Sequence, residues 1–424
     1  MTRWVFAHLA DAHVGAWPRS AAFRAALRQS VLRALEVVEE RGAEFLLVSG
    51  DLFHTPVPDP AEVQPVASAL KRLVDAGRRV YAIYGSHDYV AHRTSWLDVL
   101  AAAGVFLKVA PEAVQSEGTR WTLPFLLDAP TGARIAGISG RSHGLDREYF
   151  RAVDAEAFRA EPGFKVFQFH AAVEEYLPEH LREHIRGIRR DDLPAGCNYY
   201  AGGHIHYTYE GEGPDGGLLV NPGAVFGTSR TDLENGAAGR THQGVVIVTV
   251  DDGVPTAEFV DTAPAGTVRL VDVDLSGRTA QEAHDEIARR VEEAAAAGAL
   301  VYPRLHGELA SGSAAELDLA GIAKAAGGAA DAVLWETKEL HAAGAELEGS
   351  VEEADVEARA IAALVETSRP AAPWLEGDGG DRLVRELLRE LGTEKAEGEA
   401  RVDYETARIE GTRRLLGLRG ERGG

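Results

Sequence analysis

Leu46-Leu47-Val48-Ser49-Gly50-Asp51-Leu52-Phe53-His54 is an apolar run that ends, at a glycine, on a carboxylate. Such a run has the composition of an inner strand of a parallel sheet, buried on both faces. Glycine lets the backbone turn where a larger residue would be strained. Asp51 is thereby delivered to the carboxyl edge of the strand, where open α/β sheets bind their ligands. A single Gly-Asp after a strand is more often a solvated loop aspartate, so the companions of this stretch decide its reading.

Around it the first third of the chain alternates strand-like and helix-like segments, the pattern of a layered α/β domain. Residues 4–9 read as the first strand. The helix that follows carries Phe23, Leu27, Val31, Leu35 and Val38 at three- and four-residue intervals, with Ser20 placed to cap its start and Gly42 its end. Residues 61–76 read as a second helix, 79–84 as a third strand and 94–103 as another helix. Between 119 and 260 the segments are mostly short strands (134–139, 165–169, 218–220, 244–250 and 257–260), which predicts two sheets packed face to face. The pattern resets near 262–266. A strand over 268–275, a helix over 280–297, a strand over 300–309, a helix over 314–326 and a strand over 332–336 form a small separate α/β unit.

An acidic, alanine-rich helix and the breaker-rich stretches 369–374 and 377–380 then lead to an amphipathic helix with Leu383, Val384, Leu387, Leu388 and Leu391 on one face. The expected division is therefore 1–262, 263–345 and 346–424. The fold class is α/β: a two-sheet sandwich flanked by helices, then a small α/β capping domain and a helical tail.

The 424 residues carry a formal net charge of -22. That argues against broad attraction to nucleic acid, which depends on lysine and arginine displacing counterions at phosphates. A polyanionic substrate would need local help from divalent cations, a short arginine patch or a partner subunit. With Cys197 alone, no internal disulfide or cysteine zinc site can form. Any metal must be held by histidine and carboxylate. No apolar run reaches membrane-spanning length and the amino terminus lacks a signal-peptide layout, so the expectation is a cytoplasmic protein without a membrane partner.

Five small clusters each follow an apolar run. They are Asp11-Ala12-His13; Asp51 with His54; Gly85-Ser86-His87-Asp88; His170; and Gly203-His204-Ile205-His206. In Asp-x-His and His-x-His the two side chains point the same way on extended backbone, so each pair can grip one ion. Imidazole and carboxylate together suit zinc, manganese or iron.

This order and spacing resembles the calcineurin-like metallophosphoesterases, whose pattern is Asp-x-His, Gly-Asp, Gly-Asn-His-Asp, His and Gly-His-x-His. Within that superfamily it looks most like the SbcD and Mre-type double-strand-break repair nucleases. The closer resemblance rests on His54 in Gly-Asp-Leu-Phe-His, on Asp192-Leu193-Pro194-Ala195-Gly196 leading through Tyr199-Tyr200 to the histidine pair, and on the small α/β unit.

The resemblance implies two divalent ions, manganese by family habit. Asp11, His13 and His206 would hold one, His170 and His204 the other, and Asp51 would bridge them. It makes His87 the proton donor to the leaving oxygen. His54 would contact the scissile phosphate or leaving group, although a lone histidine there also reads as a core residue. Where the family has asparagine, this chain has Ser86, a shorter and weaker oxygen ligand for the second ion.

Further implications are a single-strand endonuclease and 3′-to-5′ exonuclease acting on DNA, a homodimer, and an SbcC-type coiled-coil ABC ATPase that binds the tail helix. A small-molecule phosphodiesterase would share every ligand. A scaffold with a weakened metal site that regulates the ATPase is the third reading. Arg182, Arg186, Arg189 and Arg190 recur at helical spacing. They read either as a track for a phosphate backbone or as a solvated face balanced by Glu179 and Glu183, with Gly187 weakening the helix.

Overall fold

The computed structural model describes residues 3–89, 94–109, 114–115, 121–140, 146–182, 185–263, 268–295, 299–326, 332–342 and scattered positions between 383 and 415. The chain divides into two compact units, Met1–Ala343 and Gly344–Gly424.

In chain order the first unit runs β1 (Arg3–Leu9), α1 (Ala21–Glu40), β2 (Phe45–Ser49), α2 (Pro60–Asp75), β3 (Arg79–Ile83), α3 (Trp96–Ala102) and β4 (Leu107–Lys108). A short hairpin, β5 (Val114–Gln115) with β6 (Trp121–Thr122), precedes β7 (Leu126–Asp128), β8 (Ala133–Ile138), α4 (Asp146–Arg151), α5 (Ala155–Ala160) and β9 (Lys165–Phe169). Then follow β10 (Tyr199–Ala201), β11 (Tyr209–Glu212), β12 (Leu218–Asn221), α6 (Arg230–Ala237), β13 (Gly244–Asp251) and β14 (Val254–Asp261). A last group comprises β15 (Val268–Asp274), α7 (Ala280–Ala294), β16 (Leu300–Glu308), α8 (Leu319–Ala325) and β17 (Glu336–His341).

Two six-stranded sheets, ordered β14-β13-β1-β2-β3-β4 and β11-β12-β10-β9-β8-β7, form the sandwich. Each has a parallel centre: β1 to β4 in the first, β12, β10, β9 and β8 in the second. Strand periodicity explains the layering. Phe6, Phe45, Leu47, Tyr81, Val166, Tyr199 and Val248 fill the layer between the sheets. Their neighbours Ala7, Leu9, Leu46 and Val48 point outward, where Phe23, Leu27, Val31, Val66 and Leu70 of α1 and α2 cover them. The second sheet is closed on its outer face by Phe150, Phe158, Ile188 and Leu193.

Capping follows the sequence. Ser20 accepts from the Phe23 amide at the start of α1, and Gly42, at φ 65°, sits just past its end. In the last group β15, β16 and β17 pair in parallel, with α7 and α8 packed on a core of Val273, Ile287, Val291, Leu305 and Ile322.

Three expectations need correction. The strand placed at 332–336 lies instead at Glu336–His341, because Val333 makes only an isolated bridge to Val301 and its side chain joins the core. The helix placed at 314–326 is a 3-10 turn, Ala314–Glu316, followed by α8, whose start Asp318 caps by accepting from the Gly321 amide. Arg182, Arg186, Arg189 and Arg190 share no helix. Ile188 bridges Val173, and a side chain at Gly187 would meet the Ala172 carbonyl at 2.2 Å, so the chain there runs extended.

In the second unit Leu383, Glu386, Leu387, Arg389 and Glu390 are helical, as are Arg408, Gly411, Thr412, Arg414 and Leu415, and Arg408 pairs with Glu390 at 3.1 Å. Val384, Leu388, Leu391 and the linker stretches lie outside the described residues. No helix among the described residues is long and apolar enough to cross a membrane.

Candidate metal centre

Every candidate residue sits just beyond the carboxyl end of a parallel strand. Asp11 and His13 follow β1, Asp51 and His54 follow β2, Ser86 and His87 follow β3, His170 follows β9, and His204 and His206 follow β10. Both sheets contribute, so their facing carboxyl edges form one bowl. Asp11, His13, Asp51 and His170 are its buried floor. His54, Ser86 and His206 are half-buried, and His87 and His204 form the exposed rim.

The turns that deliver these groups are strained. Asp11, His13, Asp51 and His204 have φ of 51°, 45°, 51° and 97°. Residues with side chains hold such conformations at a cost of about 1–3 kcal/mol each, and they cluster where function requires them. Glycines allow the close approach of the strand ends. A Cβ on Gly85 would lie 2.1 Å from Asp51 Oδ1, and one on Gly50, at φ 91°, would lie 2.4 Å from His170 Nδ1. The Asp11 and His13 amides donate to the carbonyls of Gly50 and Asp51 at 3.1 and 2.9 Å, locking the first two turns together.

Three imidazole Nε2 atoms converge on two carboxylates. His13 Nε2 lies 3.7 Å from Asp51 Oδ2 and 3.9 Å from Asp11 Oδ1, His170 Nε2 lies 3.2 Å from Asp51 Oδ2, and His206 Nε2 lies 4.0 Å from Asp11 Oδ1. His13 Nε2 and His206 Nε2 face each other at 3.1 Å. His170 Nε2 is buried without a well-formed hydrogen bond. Behind the rings, each Nδ1 has a partner that aims it. His170 Nδ1 donates to the Ser49 carbonyl at 2.9 Å, His206 Nδ1 meets Asp232 Oδ2 at 2.9 Å, and His13 Nδ1 faces His54 Nδ1 at 3.5 Å. Imidazoles that ligate metals are oriented in this way, by an outer acceptor on the far nitrogen.

Electrostatics point to the same fit. Burial raises the Asp11 carboxyl to about 6, with the Asp51 charge adding to the rise and His170 and His206 opposing it. Burial also works to raise Asp51, but the His170 charge and hydrogen bond, His13 and the His87 amide outweigh it and hold the carboxyl below the usual range. His170 is correspondingly drawn up to about 10, its burial penalty overcome by Asp51 and Asp11. Buried carboxylates that hold a proton on a neighbouring imidazole are suited to exchange it for a cation, because metal binding displaces ligand protons. Asp11, His13 and His206 form one group able to hold an ion, and Asp11, Asp51 and His170 another.

The remaining candidates are placed as follows. Ser86 Oγ donates to Asp51 Oδ2 at 3.2 Å and the His87 amide donates to Asp51 Oδ1 at 2.7 Å. His204 contributes its amide to Asp11, at 3.1 and 2.9 Å, and its ring stacks edgewise on His170 at 5.1 Å. The imidazole of His204 stands outside the ligand groups found among the described residues. His54 and His87 stack at 5.1 Å, and His87 Nδ1 donates to the His54 carbonyl at 2.8 Å. The His54 ring is half-buried and packs beside those of His13 and His87.

Two carboxylates support the site: Asp88, which the sequence places in the third cluster without a role, and Asp232, which the sequence reading does not single out. Asp88 accepts from the amides of Leu52, Phe53 and Gly85 at 3.1, 3.0 and 3.2 Å, fixing the loop that carries His54. Asp232 closes a capping box with Ser229 at the start of α6 and uses the same oxygen to hold His206. Burial works against its charge, but the His206 hydrogen bond and charge and the amide at Thr228 keep its pKa down at about 2. Ser229-x-x-Asp232 is a visible capping signature, and only its link to His206 was hidden. Asp232→Asn should weaken manganese binding about 10- to 100-fold, read by calorimetric titration. A loss below about twofold would mean that packing alone orients His206.

Comparison with known proteins agrees with this geometry. The calcineurin-like phosphoesterase family model matches residues 5–207. The chain is 26% identical over 232 residues to the DNA double-strand break repair protein Mre11 of Archaeoglobus fulgidus, covering 52% of this chain and 49% of that protein. It is 25% identical over 293 residues to the protein of the same name from Methanopyrus kandleri, covering 67% and 62%, and 24% identical over 202 residues to that of Methanococcus maripaludis, covering 47% and 51%. The chain thus spans about half to three fifths of the length of these relatives. With the paired carboxylates and converging imidazoles at facing sheet edges, these matches give residues 5–207 the character of a calcineurin-like phosphoesterase domain, similar to that of the Mre11 proteins.

Proposed function

We propose that this protein is a metal-dependent DNA nuclease subunit, a single-strand endonuclease and 3′-to-5′ exonuclease that processes broken DNA ends. The observation that carries the chemistry is the convergence of His13, His170 and His206 Nε2 on Asp11 and Asp51. The similarity to Mre11 proteins supports the DNA substrate. Asp11, His13 and His206 would hold one divalent ion, His170 and His204 the other, with Asp51 between them; manganese is the metal we favour. Divalent ions bound there would supply Lewis-acid charge to the phosphoryl oxygens and acidify a water.

The chain's own groups do the rest. His87 is exposed at the rim and its Nδ1 is committed to the His54 carbonyl, so Nε2 is the atom left to hold a proton for the departing oxygen. His54, stacked beside it, is half-buried, and burial and the His87 charge lower its pKa. It would contact the scissile phosphate as a hydrogen-bonding group. The exposed rim suits a polymeric substrate, and bound cations answer the objection from the net charge of -22. We further assign residues 1–262 to the nuclease domain, 263–345 to a small capping domain, and 346–424 to contact with an SbcC-type coiled-coil ABC ATPase in a homodimeric assembly located in the cytoplasm.

The test incubates purified protein with manganese, magnesium or zinc and with end-labelled single- and double-stranded DNA. Manganese-dependent shortening from 3′ ends with internal cuts in single strands is expected. Hydrolysis of small phosphodiesters with intact DNA would overturn the substrate assignment.

Ser86 gives a finer prediction. Its hydroxyl, which donates to Asp51 Oδ2, is shorter and a weaker oxygen ligand than an amide carbonyl, so it would offer the second ion little. Ser86→Asn would place an amide carbonyl there and should lower the manganese concentration for half-maximal activity, whereas Ser86→Ala should change little. Two equally tight sites in the unmodified protein, unaffected by asparagine, would show that serine causes no deficit.

A further inference from the structure

Beneath the bowl, the apolar layer between the sheets is interrupted by one imidazole. His8 lies on the inner face of β1, two residues after Phe6, and is 0% exposed. An aliphatic side chain would suit its place beside Leu47 and Val246, its register partners on β2 and β13, both part of that apolar layer. What the imidazole adds is a set of hydrogen bonds between the sheets. Nε2 lies 3.0 Å from Ser49 Oγ and 3.1 Å from the Gly202 carbonyl, and Nδ1 lies 2.9 Å from the Tyr199 hydroxyl.

The partners fix the tautomer. A carbonyl only accepts, so Nε2 carries the proton and donates to Gly202, and Nδ1 accepts from the Tyr199 O–H. Burial keeps the ring neutral, at a pKa of about 3, with the Gly202 bond opposing that fall.

The positions of these partners matter more than their number. Ser49 is the last residue of β2, directly before Gly50-Asp51, and its carbonyl accepts from His170 Nδ1 at 2.9 Å. Gly202 follows the last residue of β10, directly before Gly203-His204. A Cβ on Gly203 would meet the Ser49 carbonyl at 2.3 Å, so the two strand ends are already in contact. His8 itself stands three residues before Asp11.

We propose that His8 is a positioning residue for the metal centre, a neutral imidazole that ties the β2 turn bearing Asp51 to the β10 turn bearing His204 and His206. The inference rests on the metal-dependent reading above. His8 touches neither substrate nor ion. It acts by holding in register turns that come from different sheets, and Tyr199 secures it in the tautomer that donates to Gly202.

The test uses the full chain and compares two polar replacements. In His8→Gln the amide nitrogen reaches the place of Nε2 and retains the donor to Gly202. In His8→Asn the shorter amide reaches only the place of Nδ1. Manganese binding is measured by calorimetry, and kcat and KM are measured on bis(p-nitrophenyl) phosphate at saturating metal. His8→Asn should lose about 10-fold or more in manganese affinity, as removal of an outer partner does, and should lose kcat with little change in KM. His8→Gln should stay within about threefold of the unmodified protein.

The ¹⁵N shifts of His8 in labelled protein should show the Nε2–H tautomer, which a core-filling role would not require. His8→Leu adds a third arm if it folds. Equal metal affinity and kcat in the asparagine and glutamine variants, or the opposite tautomer, would overturn the assignment. Unmodified protein that binds no manganese would overturn the metal-dependent reading along with it, whereas normal binding in every variant overturns this inference alone.

Discussion

Asp51→Ala is expected to strip the protein of both bound ions and to reduce phosphodiester hydrolysis to background. Asp51 Oδ2 lies within 3.7 Å of His13 Nε2 and 3.2 Å of His170 Nε2, which belong to opposite sides of the bowl. One carboxylate oxygen thus faces both candidate positions. Removing it leaves imidazoles alone on one side, and neutral imidazoles hold a hard divalent cation poorly without a carboxylate beside them. Asp51→Asn separates charge from shape: its amide oxygen can still accept from the His87 amide, so the loop should keep its place while the ions are lost. Metal content by elemental analysis and turnover on a model phosphodiester check both variants. Retention of one tight ion by Asp51→Ala would mean that the carboxylate serves a single position.

His87→Ala should lower turnover on DNA by about 10²- to 10⁴-fold, the usual worth of a general acid, with metal content unchanged. His87 fixes Asp51 through its backbone, while its ring packs edgewise on His13 at 4.8 Å. Its amide donates to Asp51 Oδ1 at 2.7 Å, and alanine keeps that bond. The loss should shrink on a substrate whose leaving group departs without a proton, such as a p-nitrophenyl ester. Near-normal turnover on DNA would remove His87 from its role.

The parts legible in the sequence were those written in local pattern. Apolar runs ending on Asp11, Asp51, Ser86, His170 and His204 could be read because inner parallel strands are continuously apolar and their ends are where polar groups collect. The helix caps at Ser20 and Gly42 were legible for the same local reason.

What escaped depends on contacts distant in sequence. Asp232 meets His206 across 26 residues. His8 looks like an ordinary core position in a strand until Ser49, Tyr199 and Gly202 are brought to it from other strands. The arginine spacing between 182 and 190 mimicked a helix, but pairing of Val173 with Ile188 overrode it. The strand at Glu336–His341 is a polar, half-exposed edge, whereas the more apolar residues just before it pack as core without forming a strand. Edge strands of this kind lack the apolar run that marks inner ones.

We propose that this bowl holds two divalent ions with Asp51 as their shared ligand. Electron paramagnetic resonance of the protein titrated with manganese tests it most directly. Two ions per chain are expected at saturation and, as the second binds, loss of the isolated-ion signal in favour of an exchange-coupled one that Asp51→Asn abolishes. A single uncoupled manganese at saturation, or a coupled pair that survives Asp51→Asn, would contradict it.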